Sequence, residues 1–535
     1  MLNINTFSRK GNAMKSNLFS RILALALALV TVGVMLVACA QTGKGDVTTE
    51  APDQTTAPEG AEGTDSETVA ETKEEDDKPE VIDTNGYEYF IYCKDNKLWF
   101  EMYACESGNV TGDVISDALF ARETYIEKLY NCKISMIKDS KIADKLELNH
   151  DVGGPDADHL ADIVFTSGKD TLNLALKGVF ENVLKLDNLR LENSYWDQNI
   201  QKEYLISESL FCLEGDINVR DDLRTCQVTY NKKLYDDYNL DETYGSIYDL
   251  VRNYKWTFET MMQMSRDLYR DVDGDGYQGI KDTYGILSEG TAPYYFFLGS
   301  GKKPVTNDNG KIVLNLADEA ILEYVDKTLE LGYSDASLVV NRNGLVGVTS
   351  AWTDAITIFK NDQALFRSSA LSSVNGYVDM DSDYGLLPIP MLNEAQKRYY
   401  CWTASINHYP LSIPVDGIKD YNTSTLITEA MAFYSKYAKT DNLNDAFYEM
   451  LADYRLGQTV DDTEMLDIIF SSKTYELDQA LVVTKVENRM YSLTKERYTG
   501  SMKPEIDSMF TPSKMRADEI TILVKNLEKR ANAAQ

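Results

Sequence analysis

The stretch Ala161-Asp162-Ile163-Val164-Phe165-Thr166-Ser167-Gly168, residues 161–168, gives the clearest indication of the fold class. The mainly apolar run over 161–165 predicts a strand, and the small residues that follow it predict the end of that strand. Leu172, Leu176 and Val179 then recur at helical spacing and predict a helix. A strand that passes at once into a helix is typical of a mostly parallel sheet covered by helices.

The segments before this stretch show the same alternation of strands and helices. Short strands are predicted over 97–102 and 133–136. Between them, a helix is predicted behind Gly112-Asp113 from apolar residues at helical spacing, namely Val114, Ala118, Ala121, Tyr125 and Leu129. The β-α-β-β-α order therefore predicts an α/β lobe with a mostly parallel sheet.

Three later segments carry helix signals. Thr257 is predicted to cap a helix that carries Met261, Met264 and Leu268. A second helix presents Leu322, Val325 and Leu329 and is predicted to stop at Gly332. The last helix is predicted near 516–529.

The composition limits the classes of function. The chain has 535 residues, of which 43% are hydrophobic and 26% charged, which is ordinary globular material for two or three lobes. Its net charge of −32 argues against nucleic acid or an anionic surface as a partner, but not against a neutral ligand. The 34 tyrosines offer many flat apolar faces with polar tips.

Residues 271–282, Asp-Val-Asp-Gly-Asp-Gly-Tyr-Gln-Gly-Ile-Lys-Asp, have the spacing of a twelve-residue calcium loop. The predicted ligands are the carboxylates of Asp271, Asp273, Asp275 and Asp282 and the backbone carbonyl of Tyr277. Asp282 stands where glutamate is usual, so we expect modest affinity. No obvious partner helix follows, which predicts a lone structural Ca²⁺ site. The alternative is a solvated acidic turn without metal.

The N-terminus has the order of a secretory signal. Basic residues precede an apolar run that begins at Ile22, and Leu36-Val37-Ala38-Cys39 resembles a bacterial lipobox. We therefore predict a lipoprotein signal peptide over 1–38, with Met14 as an alternative start. Residues 39–82 are predicted to be the lipidated Cys39 and a disordered acidic linker. An uncleaved membrane anchor is the alternative, and both place the body of the chain outside the cell.

The remaining cysteines form no recognisable framework. They are scattered without a CxxC motif, so a zinc site is not indicated. Their pairing cannot be deduced from sequence, and buried free thiols are an equal alternative for Cys93, Cys105, Cys132, Cys212, Cys226 and Cys401.

Several short stretches follow one another in a characteristic order along the chain. Leu-Glu-Gly-Asp-Ile at 213–217 is followed by Val-Thr-Tyr-Asn-Lys-Lys-Leu-Tyr at 228–235, by Asp-Thr-Tyr-Gly-Ile at 282–286 and by Tyr-Gly-Leu-Leu-Pro-Ile-Pro at 384–390. Behind a lipobox and a spacer, this series resembles the large extracellular solute-binding proteins of Gram-positive ABC importers, family 1, the carbohydrate-binding type.

The resemblance implies an α/β, two-lobed periplasmic-binding-protein-like fold of type II. Each lobe is a mostly parallel sheet flanked by helices, and a hinge joins the lobes. The implied boundaries are 83–230 and 396–474 for lobe 1, and 231–395 and 475–535 for lobe 2. Ligand is expected in the cleft between them, where closure excludes water.

The resemblance also implies ligand-binding positions at the cleft. Aromatic rings stack on the apolar face of a sugar, while carboxylates, amides and guanidinium groups bind its hydroxyls. The candidates at strand ends and crossings are Thr166, Ser167, Asp216, Asn218, Tyr294, Tyr295, Arg367, Ser368 and Trp402. For each of them a core or turn-bracing role is the alternative.

The expected function is capture of a carbohydrate, an oligosaccharide in particular, for ABC permease subunits, by a monomer that is lipid-anchored on the extracellular face of the cell membrane. No catalytic residue is predicted. The alternatives are a surface-anchored glycoside hydrolase, which needs two carboxylates across the sugar bond, and a binding protein for peptide or another solute. No HExxH, GxSxG or phosphate loop is present.

Overall fold

The structure, a computed structural model, describes residues 77–95, 110–153, 157–405 and 408–534. The predicted signal peptide, Cys39, Cys105 and the predicted strand 97–102 lie outside these residues. The strands are β1 (Tyr87–Lys94), β2 (Cys132–Asp139), β3 (Ile163–Phe165), β4 (Cys226–Asn231), β5 (Tyr284–Ser288), β6 (Val305–Asp308), β7 (Lys311–Leu314), β8 (Ser337–Val339), β9 (Ala364–Ala370), β10 (Tyr384–Leu387), β11 (Cys401–Trp402), β12 (Leu411–Ser412) and β13 (Lys473–Thr474).

Helices separate most of these strands. In chain order they are α1 (Val114–Tyr130), α2 (Ile142–Val152), α3 (Gly168–Lys177), α4 (Gln198–Glu203), α5 (Arg220–Arg224), α6 (Lys232–Asp237), α7 (Leu240–Tyr244), α8 (Ile247–Arg252), α9 (Phe258–Ser265), α10 (Ala292–Leu298), α11 (Glu319–Thr328), α12 (Glu330–Tyr333), α13 (Ala351–Lys360), α14 (Tyr421–Tyr437), α15 (Leu443–Asp453), α16 (Val460–Ser471), α17 (Leu477–Leu481), α18 (Val486–Lys495) and α19 (Lys503–Ala534). Short 3₁₀ turns occupy Val183–Lys185 and Leu371–Tyr377.

The first lobe is built on a four-stranded sheet of order β12-β3-β1-β2. Strand β1 pairs in parallel with β2 and with β3, and β12 adds an antiparallel edge. All three residues of β3 are buried, as expected for a strand covered on both faces. The predicted parallel arrangement is therefore confirmed.

The second lobe is built on a five-stranded sheet of order β10-β4-β9-β5-β8. Strand β5 is parallel to β8 and β9, whereas β4 is antiparallel to β9 and β10. Each lobe has its own hydrophobic core. Helix α19 contributes to both cores, with Ile506 in the second and Ile520 in the first. The exact lobe boundaries stay a prediction.

Local signals explain why the helices begin and end where they do. The Asp113 carboxylate accepts the Ser116 N–H and caps α1, and Ser167 does the same for α3 through Asp170. At the end of α3, Gly178 adopts a left-handed conformation (φ 89°), which glycine tolerates best. The predicted Thr257 cap is also confirmed, since its hydroxyl accepts the Thr260 N–H.

Two helix-end predictions are wrong. Gly332 lies inside α12 and not beyond its end; a Cβ there would stand 2.9 Å from the Thr494 Cα, so close packing against α18 explains the glycine. The last helix begins at Lys503 and not near 516, because it continues through Pro512. Among the described residues, no helix has both the length and the apolar character needed to cross a membrane.

Four of the described cysteines, Cys132, Cys212, Cys226 and Cys401, are buried free thiols, and Cys93 is buried on β1. Of the two alternatives, the structure supports unpaired thiols for those four.

Candidate functional site

Thr166 and Ser167 directly follow β3, at the carboxyl end of that strand in the first sheet. Thr166 is fully buried, and its hydroxyl lies 2.7 Å from that of Thr171. Ser167 caps α3 and is also buried. Both side chains therefore stabilise the strand-to-helix turn, and Lys169 follows after Gly168.

Asp216 and Asn218 lie on the segment that leaves the first lobe. Asp216 pairs with Lys436 at 3.1 Å. Burial raises the pKa of the Asp216 carboxyl above its ordinary value, although Lys436 acts in the opposite direction. The Asn218 side-chain oxygen accepts the Arg220 N–H at 2.8 Å. In this structure the two residues brace the crossing between the lobes.

Tyr294, Tyr295 and Trp402 form an aromatic cluster where α10 meets β11. The ring of Tyr295 stacks on Trp402 at 6.4 Å and 28°, and Tyr294 meets Trp402 edge-on at 5.5 Å. The Tyr295 hydroxyl donates to the Ser368 hydroxyl at 3.0 Å. The structure thus brings together four of the sequence-predicted ligand residues.

One polar atom of the aromatic cluster has no partner. Trp402 is 3% exposed, and its indole N–H makes no hydrogen bond to any described residue. A buried donor without an acceptor is rare in native proteins, because its desolvation is not compensated. The position therefore suits a ligand that brings an acceptor.

Arg367 lies on β9, on the strand that also carries Ser368. Its guanidinium carbon is 5.5 Å from the ring centroids of both Trp352 and Tyr377, and one terminal N–H group donates to the Tyr377 hydroxyl. The other terminal nitrogen, Nη2, has no partner among the described residues, although Arg367 is only 1% exposed.

Acidic residues that the sequence did not single out lie close to these groups. Glu289 directly follows β5, and burial raises its pKa while Arg367 acts to lower it. Burial also raises the pKa of Glu487 on α18, a carboxyl that Lys169 of the first lobe influences electrostatically. Glu289 lies at the carboxyl end of β5, a strand that was not predicted from the sequence. Glu487 had no signal in the sequence either.

A buried charge cluster lies directly behind the aromatic cluster, because β13 pairs with β11. Lys473 on β13 contacts Asp197, Asp221 and Asp222 at 3.1, 2.6 and 2.9 Å. Burial acts to lower the pKa of Lys473, but the three carboxylates raise it well above its ordinary value. Lys473 is therefore charged at neutral pH and holds the segments around it together.

His408 is buried close to this charge cluster, with its Nδ1 2.7 Å from a Glu214 oxygen. Burial lowers the pKa of His408 to about 3, so its imidazole is neutral at physiological pH. This position agrees with a structural role for the histidine.

The predicted calcium loop brings three of its acidic side chains together. Carboxylate oxygens of Asp271, Asp273 and Asp275 lie within 4.8 Å of one another, and all three residues are exposed. Asp271 accepts N–H groups from Gly274 and Gly276, at 2.7 and 2.9 Å. Such a set of oxygens fits a hard cation like Ca²⁺.

The other two predicted metal ligands are arranged differently. Asp282 lies outside the group of three: it is buried and accepts N–H groups from Val272 at 3.0 Å and from Gly279 at 2.8 Å, so it closes the loop. The Tyr277 side chain is exposed, while its N–H donates to Asp275 at 2.7 Å. Strand β5 follows, in agreement with a loop that lacks a partner helix.

A groove of about 860 Å³ lies elsewhere, between α1 and the end of α14. Its lining includes Tyr125, Tyr434, Lys436 and Lys439 but none of the sequence-predicted ligand residues.

Comparisons with known proteins identify the fold. No family model matches the chain, and no curated protein sequence does. Among solved structures, a cyclo/maltodextrin-binding protein complexed with maltotetraose is similar, with 12% identity, a TM-score of 0.51, and coverage of 80% of this chain and 97% of that one. Two others match with lower scores. An ABC substrate-binding protein from Listeria monocytogenes in complex with cycloalternan has 13% identity, a TM-score of 0.47, and coverage of 82% and 99%. Apo RafE from Streptococcus pneumoniae has 12% identity, a TM-score of 0.48, and coverage of 82% and 99%. The similarity to the cyclo/maltodextrin-binding protein confirms the predicted fold class: the chain has the two-lobed α/β fold of periplasmic binding proteins.

Proposed function

We propose that the chain is a solute-binding protein of an ABC importer, which captures a carbohydrate between its lobes and delivers it to the permease. The observation that carries the proposal is the aromatic cluster at the lobe junction, with the unpartnered N–H of Trp402. A sugar ring offers an apolar face to such rings and hydroxyl oxygens to such a donor. The protein of similar fold that was solved with maltotetraose supports the same ligand class.

The proposed mechanism is closure of the two lobes and not bond chemistry. Ligand favours the closed state only by its greater affinity for that state. In this proposal Tyr294, Tyr295 and Trp402 contact sugar rings, and Ser368 and Arg367 bind polar substituents. Thr166 and Ser167 hold the turn after β3 in the first lobe, while Asp216 and Asn218 act through the crossing that they brace.

We also propose that Ca²⁺ is a structural ion of the second lobe. Asp271, Asp273 and Asp275 would supply carboxylate oxygens and Tyr277 its carbonyl, with Asp282 holding the loop closed around them. When bound, the ion would neutralise three carboxylates that otherwise repel one another. Its contribution would be to stability.

The proposed location is the extracellular face of the cell membrane, with lipidated Cys39 as the anchor and the protein as a monomer. The residue order around Cys39 supports this part of the proposal. The importer's permease subunits would be the protein partner.

The test is thermal unfolding of a soluble form that begins at Ala40, with calcium fixed, against a panel of mono- and oligosaccharides. A ligand at a hundred times its Kd adds about 2.7 kcal/mol to the free energy of unfolding, which raises the melting temperature visibly. A shift for one class of saccharide is expected. Shifts only with peptides would replace carbohydrate by peptide as the ligand, and cleaved sugar would identify a hydrolase.

A further inference from the structure

The buried cations of this chain differ in how their charge is balanced. Lys473 contacts three aspartates, Lys303 pairs with Glu203 at 2.6 Å, and Arg122 lies 3.5 Å from Glu123. Arg367 is 1% exposed, yet it forms no ion pair with any carboxylate of the described residues. Buried charges in native proteins are normally paired, because an uncompensated one loses its hydration without replacement.

Within the described residues, the contacts of Arg367 leave its positive charge without a counterion and one of its N–H groups without an acceptor. The rings of Trp352 and Tyr377 flank the guanidinium, and the Tyr377 hydroxyl accepts from Nη1. Cation–π contacts offset only part of the lost hydration of a buried cation. The Nη2 group, which has no acceptor among the described residues, is directed to no other protein group.

The position of Arg367 is that of a ligand-binding residue in an α/β fold. It pairs in register with Leu287 of the parallel strand β5, which is one residue before the carboxyl end of that strand and two residues before Glu289. Ligands of open α/β sheets bind outside the carboxyl ends of the strands. Trp352, which flanks the guanidinium, is only partly buried.

Glu289 does not take the place of an ion-pair partner. It influences Arg367 electrostatically but forms no ion pair with it. Burial raises the pKa of Glu289, so a proton on this carboxyl is easier to retain than on an exposed glutamate. A protonated Glu289 would donate a hydrogen bond beside a bound anion.

We propose that the cleft selects an acidic saccharide, and that the carboxylate of a uronic acid unit accepts a hydrogen bond from Arg367 Nη2 and balances its charge. The inference rests on the proposed function and narrows its ligand class. A planar guanidinium matches a carboxylate in shape and binds it through short, charge-assisted hydrogen bonds.

The experiment compares matched ligands on the unaltered protein, in the soluble form that begins at Ala40. Calorimetric titrations use uronate oligosaccharides (galacturonate, mannuronate and glucuronate trimers), their methyl esters, and maltotriose as a neutral sugar. We expect one uronate to bind at least tenfold more tightly than its own methyl ester, because esterification removes the negative charge and keeps the sugar.

Two variants locate the effect at Arg367. Arg367→Gln should weaken binding of that uronate at least thirtyfold and reduce its advantage over its own methyl ester to less than threefold, while Arg367→Lys retains part of the preference. Because the parent guanidinium is unbalanced without ligand, ligand-free Arg367→Gln should melt no lower than the parent, which shows that it is folded.

Any of three results would overturn the inference. If neutral saccharides bind and the uronate has no advantage over its ester, the acidic selectivity is wrong while the proposed function stands. If the uronate preference persists in Arg367→Gln, another residue binds the carboxylate. If no saccharide binds in any form, the proposed function fails, and the inference fails with it.

Discussion

Lys473 gives the sharpest prediction about what holds the lobe junction together. Its ammonium group lies 3.1 Å or less from carboxylate oxygens of Asp197, Asp221 and Asp222. Lys473→Met removes the positive charge and keeps most of the side-chain volume. The three carboxylates are then left largely buried without their common partner, and breaking a buried ion pair on one side destabilises by about 3–5 kcal/mol.

The pH dependence of this deficit has a defined sign. In the parent, Lys473 acts to lower the pKa of all three carboxyls, and burial acts to raise them. In the variant the lowering effect of Lys473 is lost while burial and the repulsion between the carboxylates remain, so the pKa of each carboxyl in the folded state is higher than in the parent. Such groups stabilise the fold at low pH and lose that contribution as pH rises through the folded pKa. The stability deficit of the variant should therefore be larger at about pH 7 than at about pH 5.

The assay is urea unfolding of parent and variant at several pH values, followed by fluorescence and circular dichroism. Lys439→Met is the matched control, because Lys439 is exposed and has no ion pair within the described part of the chain; it should change the unfolding free energy by less than about 0.5 kcal/mol. Equal stability of Lys473→Met and the parent near pH 7, or a deficit that grows as pH falls, would show that the ion pairs of Lys473 do not stabilise the fold.

Three further predictions follow from the other sites. Trp402→Phe keeps a ring but removes the unpartnered N–H, so saccharide affinity should fall about 2- to 12-fold, the equivalent of one hydrogen bond of 0.5–1.5 kcal/mol; unchanged affinity in titration calorimetry would exclude that donor as a ligand contact. Asp273→Ala should lower the melting temperature in calcium but not in chelator, and equal melting of both proteins in calcium would argue against the metal site. Cys39→Ser should abolish labelling by a radioactive fatty acid in cells, and continued labelling would remove the lipobox argument.

The sequence predicted those parts of the fold that local signals determine. Thr257 was recognised as a helix cap, and α1 was predicted to begin behind Asp113, because a capping side chain acts within three residues of its own position. Strand β3 was recognised from its continuous apolar run. Strand β1 was missed, because Tyr87–Lys94 mixes tyrosines with charged residues and has no clear alternation.

The site was predicted less completely, because its properties depend on packing between distant segments. Tyr295, Ser368 and Trp402 were named from position alone, but their mutual contacts depend on how three separate elements meet. The burial of Arg367 without an ion pair has no local signal. Asp282 occupies position twelve of the loop by spacing, yet its short side chain accepts backbone N–H groups of the loop instead.

Capture of a carbohydrate is tested most directly by identifying the ligand that the protein retains after exposure to mixed solutes. The soluble form that begins at Ala40 is incubated with a mixture of neutral and acidic oligosaccharides and peptides, separated from free solute by gel filtration, and denatured, and the released ligand is identified by mass spectrometry. We expect one intact oligosaccharide per chain. Retention of a peptide, or release of shortened sugars, would contradict it.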